Sequence, residues 1–381
     1  MWFIVDYIRV FHKYRIHKKN KMKKIVLLLL LFTSVVSNAQ QTENIIIITT
    51  DGLRWQELFE GMDSSIANNR KFNQGDSTYI FKKYWSDDVK ERREKLMPFM
   101  WSVVAAKGQL YGNRNYNNKV NNANPHWFSY PGYSEIMTGY ADPAINSNEY
   151  KPNPHVTVLE FLNQQPKFKG KVAAFGAWEA FDRILNEKRS GIPVTSAYDK
   201  IGGNKPTAQQ KLINDMLADS YKPWHQDECL DVFTHYEALE ELKTNKPKVL
   251  YIAYGETDEW AHGGQYRSYL DAAHQVDAWI KQIWDFVQND PLYKNKTALV
   301  FTTDHGRGDK IKAEWTSHGS SIQDASEIWF AAMGLGITAK GELKTERQFY
   351  QEQFAQTIAK LLGYTFKANH PIAKEIPEVL K

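Results

Sequence analysis

The sequence predicts an α/β fold on a largely parallel central sheet covered by helices on both faces, and three apolar runs carry that prediction. Residues 44–50, 248–254 and 298–301 are each short, continuous and rich in β-branched or aromatic side chains. That is the pattern of a strand buried on both of its faces. Helical patterns separate the runs, and strands that alternate with helices assemble into parallel sheets. A chain of 381 residues is long enough for one large domain of this kind.

The N-terminus reads differently. Met22-Lys23-Lys24, the apolar stretch 25–32 and Ser37-Asn38-Ala39 follow the order of a secretory signal: basic start, apolar core, small-x-small cleavage site. The apolar stretch is too short for a stable membrane span. Translation is therefore expected to begin at Met22, with cleavage after Ala39 and export to the periplasm or medium. Residues 1–21 would be an upstream extension, and residues 40–381 a single catalytic domain. Eight of the 48 basic residues and only one of the 44 acidic ones fall within residues 1–39. The remainder is slightly acidic, so the basic balance of the whole chain carries no nucleic-acid inference. A single cysteine, Cys229, excludes an internal disulfide, and its neighbours Asp227 and Glu228 disfavour a thiolate.

Taken in order, the first strand ends at Asp51-Gly52, followed by Leu53-Arg54-Trp55. Residues 61–94 are polar and charged with aromatic islands and read as an irregular insertion. Pro98 suits the first turn of a helix closed by Gly108. A polar, Asn-rich loop over 113–124 leads to a short helix from Pro131 to Gly139, with Ser129 at or next to its N-cap. There the helix dipole and free N–H groups favour negative charge, although a capping role alone would also account for Ser129.

From 146 to 248 the pattern mixes core elements with a cap-like insertion. It contains helices near 156–162, 207–221 and 231–243, a strand at 171–175 and a Gly/Pro/Ser-rich loop over 188–206. The strand at 248–254 leads to Asp258 and His262, four apart and so on one face of a helical turn. A long helix follows, with Leu270, Ala273, Val276, Ile280, Ile283 and Val287 as its core stripe. The strand at 298–301 ends in Asp304-His305, and a polar turn carries His318. A strand at 328–332 and a helix over 346–362, stopped by Gly363, complete the domain.

Ligands of open α/β sheets collect outside the carboxyl ends of the strands. Asp51, Asp258, His262, Asp304, His305 and His318 would all lie at that edge. Three carboxylates and three imidazoles suit two zinc-like ions, each with a mixed nitrogen and oxygen shell.

These motifs, in this order, resemble the alkaline phosphatase superfamily, and most of all its nucleotide pyrophosphatase/phosphodiesterase branch. Thr50-Asp51-Gly52-Leu53-Arg54-Trp55 resembles the first metal motif, and Ser129-Tyr130-Pro131 through Met137-Thr138-Gly139 the nucleophile motif. Asp258-x-x-x-His262, Thr303-Asp304-His305-Gly306 and His318-Gly319 resemble the others. The resemblance implies that Asp258, His262 and His318 hold one divalent ion, most readily Zn2+. It implies that Asp51, Asp304 and His305 hold a second, together with the nucleophile oxygen of Ser129. Asn148, with Asn146 as the alternative, stands where the family places an asparagine on a phosphate oxygen.

Two departures stand out. Ser129 and Gly132 replace the Thr and Asn usual in the phosphodiesterase branch, and Tyr133 replaces the Arg that formylglycine sulfatases require. Tyr130, Tyr133 and Ser134 are the weaker nucleophile candidates. The expected activity is hydrolysis of phosphate diesters or monoesters through a metal-bound serine and a phosphoseryl intermediate. Arg54 and Arg307 are candidates for balancing substrate charge, each with a structural salt bridge as the alternative. Sulfate ester or phosphonate hydrolysis, or a non-catalytic carbohydrate- or surface-binding role, are the rival readings. The expected partner is a small phosphate ester, with nucleic acid entering only as nucleotide substrates and no integral membrane segment. Nothing in the sequence sets the oligomeric state.

Overall fold

The computed structural model describes residues 41–380, together with positions 12, 14, 15 and 17. The signal-like segment from Met22 to Ala39 lies outside the described residues. From Gln41 onward the chain forms one compact unit. Its strands are β1 (Asn44–Thr50), β2 (Gly108–Tyr111), β3 (Asn118–Asn121), β4 (Val172–Gly176), β5 (Val194–Ser196) and β6 (Val249–Tyr254). They continue with β7 (Thr297–Thr303), β8 (Glu327–Ile328), β9 (Phe330–Gly334), β10 (Gly341–Glu342) and β11 (Arg347–Tyr350).

The main sheet has eight strands in the order β10-β2-β9-β7-β1-β6-β4-β5, and β11-β3-β8 form a small second sheet. The run from β7 to β5 is parallel throughout, and β9 alone runs against its neighbours β7 and β2. The expected largely parallel sheet is therefore present.

Side chains along β1 alternate between two cores. Ile46 and Ile48 join one, and Ile45 and Ile47 join the other. Leu299 and Phe301 against Ala298 and Val300 repeat the alternation on β7. A continuous apolar run is the sequence consequence of being covered on both faces. Burying the four isoleucines of β1 contributes roughly 6–12 kcal/mol before chain entropy is counted.

The helices that place the site are α1 (Trp55–Glu60), α2 (Ser129–Thr138), α3 (Ala208–Asp219), α4 (Asp231–Thr244), α5 (Glu256–His262), α6 (Tyr266–Asn289) and α7 (Gln353–Leu361). Leu270, Ala273, Val276, Ile280, Ile283 and Val287 of α6 pack on one face of the sheet, as their spacing predicts. α2 and α7 cover the opposite face through Tyr133, Ile136, Met137, Phe354 and Ile358. α3 begins with a capping box between Thr207 and Gln210. Between β5 and β6, Leu217, Cys229 and Phe233 form a small separate core with Ala177.

Several local expectations are corrected. Residues 61–94 are not irregular: they hold helices Ser64–Ala67, Ser77–Tyr84 and Val89–Leu96, two of them capped by Asp63 and Asp88. These helices are too short for periodicity to reveal, and only the caps announce them. The Asn-rich loop contains β3, whose alternating burial is hidden by polar residues. The 188–206 loop holds a one-turn helix and β5. The 328–332 run is split at Trp329 between the two sheets, and residues 347–350 pair as β11 before α7 begins.

Register matters most for function. Thr50 pairs with both Tyr254 and Thr303, so the three central strands end level with one another. Asp51, Gly255 and Asp304 therefore open onto one edge.

Candidate metal centre

Each of the three strand ends contributes acid. Asp51 follows β1, Asp304 and His305 follow β7, and α5 starts one residue after β6 to bring Asp258 and His262 together. His318 arrives from the turn after Lys312–Thr316. The structure gathers these six residues into two groups, Asp258 with His262 and His318, and Asp51 with Asp304 and His305.

In the first group, His262 Nε2 lies 2.9 Å from Asp258 Oδ2 and 2.9 Å from His318 Nε2. In the second, His305 Nε2 is 3.1 Å from Asp51 Oδ1 and 3.5 Å from Asp304 Oδ2. The two groups adjoin: the His305 and His318 rings are 4.0 Å apart, and His305 Nε2 is 3.8 Å from Asp258 Oδ1.

Asp51 Oδ1, Asp304 Oδ2 and His305 Nε2 are all buried, and none has a hydrogen-bond partner. Three orphaned lone-pair atoms facing one point is an arrangement that buried polar groups avoid unless something binds them. Their other atoms are fixed from behind. Gly52 N–H donates to Asp304 Oδ1 at 3.0 Å, and Tyr133 O–H donates to Asp51 Oδ2 at 3.1 Å. His305 Nδ1 meets the Gly306 carbonyl at 2.9 Å, which selects the tautomer that leaves Nε2 free. The donor set fits a divalent ion of the zinc type.

Electrostatics agrees. Burial and the neighbouring Asp51 push the Asp304 carboxyl well above its usual range, and burial and Asp258 raise Asp51. Burial opposes charge on His305, but Asp304 and Asp51 outweigh it and hold the imidazole up to about 9. Burial also opposes charge on Asp258, yet Arg307 and the imidazoles of His318 and His262 keep it well below the carboxylate range. Burial and His305 push His318 down. A divalent cation would replace the protons this crowding otherwise demands.

Ser129 is the first residue of α2 and makes no capping hydrogen bond, so the purely capping role does not apply. Three and four residues on, Gly132 packs against the Asp304 backbone and Tyr133 reaches Asp51, which puts Ser129 on the same helix face, one turn nearer the N-terminus. A Cβ at Gly132 would lie 2.5 Å from the Asp304 carbonyl oxygen, which accounts for glycine there. Just upstream, Trp127 adopts a left-handed conformation, φ 55°, which costs a side-chain-bearing residue about 1–2 kcal/mol. Asn124 Oδ1 holds it by accepting from the N–H groups of His126 and Trp127, and Gly319 N–H donates to its carbonyl. The serine is thus tied to the His318 turn.

Asn148 lies at the same helix end, where its Oδ1 accepts the Tyr130 N–H at 3.0 Å. Its alternative, Asn146, is exposed. The weaker nucleophile candidates are occupied. Tyr130 O–H donates to the Lys151 and Arg183 carbonyls, Tyr133 O–H to Asp51, and Ser134 Oγ accepts from Asn153. Cys229 is fully buried, and burial pushes its thiol up.

Both candidate arginines are drawn into internal pairs. Arg54 is fully buried and paired with Glu57, with further bonds to the Gly308 carbonyl and Asp309. Arg307 is buried too, donating to Asp258 and to the Trp315 and Thr316 carbonyls. Each guanidinium thus makes the buried salt bridge that was the alternative reading, Arg54 with Glu57 and Arg307 with the candidate ligand Asp258. Asn122 and Gln351 both donate to the Asp304 carbonyl at 2.7 Å and had no sequence signal.

A profile of the family described as the metalloenzyme superfamily matches residues 180–357. GPI ethanolamine phosphate transferase 1 of Mus musculus is 25% identical over 232 residues, 59% of this chain and 23% of that protein. The chain spans about a quarter of the length of the curated relatives it matches. Among solved structures, the alkaline phosphatase PafA superposes with a TM-score of 0.57 at 10% identity, covering 90% of this chain and 99% of that one. A 2-O GAG sulfatase superposes at 0.53 with 12% identity, covering 89% and 74%. These structural likenesses establish the fold.

Proposed function

Since this chain belongs to the alkaline phosphatase-like metalloenzyme superfamily, we propose that it is an exported, two-metal hydrolase of phosphoric esters with Ser129 as nucleophile. The observation that carries the reading is the convergence of three orphaned buried ligand atoms, Asp51 Oδ1, Asp304 Oδ2 and His305 Nε2, with α2 packed against two of their residues through Gly132 and Tyr133.

Asp258, His262 and His318 would hold one ion, and Asp51, Asp304 and His305 the other, with Zn2+ the best match to the donor types. When bound, such ions make a serine hydroxyl acidic enough to attack and stabilise the charge of the departing oxygen. The rest is the work of the protein. Ser129 Oγ would attack phosphorus in line, the new P–Oγ bond forming as the P–O bond to the leaving alkoxide breaks and the serine proton passing through solvent to that alkoxide. Water then cleaves the phosphoseryl ester and restores the hydroxyl. The Asn148 amide, held at the dipole-positive helix end by the Tyr130 N–H that its Oδ1 accepts, would donate its NH2 group to a non-bridging oxygen. Tyr133 keeps Asp51 oriented, and Arg307 does the same for Asp258.

A second reading is transfer of the phosphoryl group to an alcohol in place of water. The likeness to GPI ethanolamine phosphate transferase 1 favours it. The test is turnover of p-nitrophenyl phosphate, bis-p-nitrophenyl phosphate and p-nitrophenyl sulfate with and without chelator. Chelator-sensitive release from a phosphate ester is expected. Turnover of the sulfate alone would overturn the assignment, and an alcohol acceptor that raises release would favour transfer. Export predicts a mature N-terminus at Gln40, which terminal sequencing of the secreted protein checks.

A further inference from the structure

Glu135 lies within α2, six residues after Ser129, and is fully buried. N–H groups from two distant segments hold its carboxylate. Oε1 accepts from the Ala123 and Glu352 backbones, each at 2.9 Å. Oε2 accepts from the Asn124 backbone at 2.9 Å and from the Asn124 amide at 2.7 Å. The Asn124 bonds close residues 124–135 into a loop that has Ser129 inside it.

Both segments lead into the candidate centre. Ala123 follows Asn122, and Glu352 follows Gln351, the two residues that donate to the Asp304 carbonyl at 2.7 Å. Asn122 also donates to Gln351 Oε1 at 2.7 Å, so these segments meet each other as well as Glu135. Asn124 Oδ1 accepts from the His126 and Trp127 N–H groups at 2.9 and 3.1 Å. Those bonds support the left-handed turn at Trp127, two residues before Ser129. One carboxylate therefore ties the approach to the nucleophile to the clamp on a ligand's backbone.

Only an ionised acid offers acceptors to all of these donors. An amide, or a protonated acid, presents a donor where one of the two oxygens should accept. Burial pushes the Glu135 pKa up to about 7 against the pull of the Asn124 and Ala123 donors, and Glu352, facing it from the start of α7, adds to the push. We propose that Glu135 is a positioning residue for the reaction, its carboxylate clamping residues 123–127 onto α2 so that Ser129 is presented at a fixed place to the centre of Asp51, Asp304 and His305. It acts through Asn124 and Trp127 rather than on the ester. This rests on the reading of Ser129 as the nucleophile of a phosphoric ester hydrolase.

The test is Glu135→Gln, assayed with p-nitrophenyl phosphate and bis-p-nitrophenyl phosphate well below its melting temperature. Its kcat should fall roughly 10- to 100-fold, the cost of a misplaced reacting group, with KM and bound metal as in the wild type. The ratio of wild-type to variant kcat should shrink as pH falls through about 7, where the wild-type carboxyl takes up a proton and comes to resemble the amide. Asn124→Ala breaks the relay one step nearer to Ser129 and should give a similar loss, with the double variant little worse than either single one. Backbone hydrogen exchange over residues 122–128, followed by mass spectrometry, reads the clamp without turnover. It should quicken in Glu135→Gln while β1 and β7 keep their protection. A lowered melting temperature with unchanged kcat, a loss confined to KM or bound metal, or losses that multiply in the double variant would each overturn the proposal. Where Glu135→Gln does not fold, Asn124→Ala decides, and an unchanged kcat there overturns it. If the wild type turns over neither ester, the hydrolase reading falls, and the clamp itself stands or falls on the exchange.

Discussion

The Nε2 atoms of His262 and His318, 56 residues apart in sequence, face each other at 2.9 Å with Asp258 alongside. Two imidazole lone pairs aimed at one point repel unless a proton or a cation lies between them. His318→Ala should lower bound metal by about one ion per chain and reduce kcat by on the order of 1,000-fold. Metal analysis of the purified variant beside the wild type checks this. Unchanged metal content would remove His318 from the ligand set.

Ser129→Ala should leave metal content and thermal stability close to wild type, because the side chain makes no capping bond. Turnover should fall by on the order of 1,000-fold or more, the usual loss for a covalent nucleophile. Trapping of a phosphoprotein at low pH should succeed with the wild type alone. Labelling that persists in the variant would move the nucleophile elsewhere.

Arg54 and Glu57 form a buried pair, with Tyr266 and Tyr269 also donating to the carboxylate. Arg54→Met should cost about 3–5 kcal/mol by stranding Glu57, and the double change Arg54→Met/Glu57→Leu should recover much of it. Denaturant unfolding measures both. A single variant of full stability but raised KM would return Arg54 to the substrate.

His235 is fully buried, stacked on Trp279, and bonded to Tyr254 and Gln282. Burial holds its pKa down at about 4, against 6.5 for a free imidazole. The unfolded chain therefore takes up a proton first. The stabilisation is complete above about pH 6.5 and is lost as pH falls towards 4. Relative to His235→Gln, the wild type should lose about 3 kcal/mol over that interval. Parallel stability curves for the two proteins would refute this assignment.

The central strands and all six candidate ligands were legible in the sequence for one reason. A strand buried on both faces must be apolar along its length, so the first acid after it marks the edge of the sheet. Asp51 and Asp304 announce themselves in this way. Arg54 and Arg307 were legible only as charges, because whether a guanidinium faces solvent or an internal carboxylate depends on packing between distant segments. Asp309 reaches Arg54 across 255 residues. Glu228 was hidden for the same reason. Its place beside the cysteine carries no burial signal, and only the fold brings it over Gly255. The short helices within 61–94 escaped because one or two turns do not establish a period.

The contact between Gly132 and the Asp304 carbonyl oxygen sets how closely α2 approaches the strand end that carries Asp304 and His305. That spacing is fixed by two backbones meeting through a hydrogen atom, with Asn122 and Gln351 gripping the same carbonyl. Any side chain at Gly132 should therefore push the start of α2 away from Asp304 and His305 while the sheet beneath stays intact. The tolerance of the whole edge is set by the absence of one methyl group.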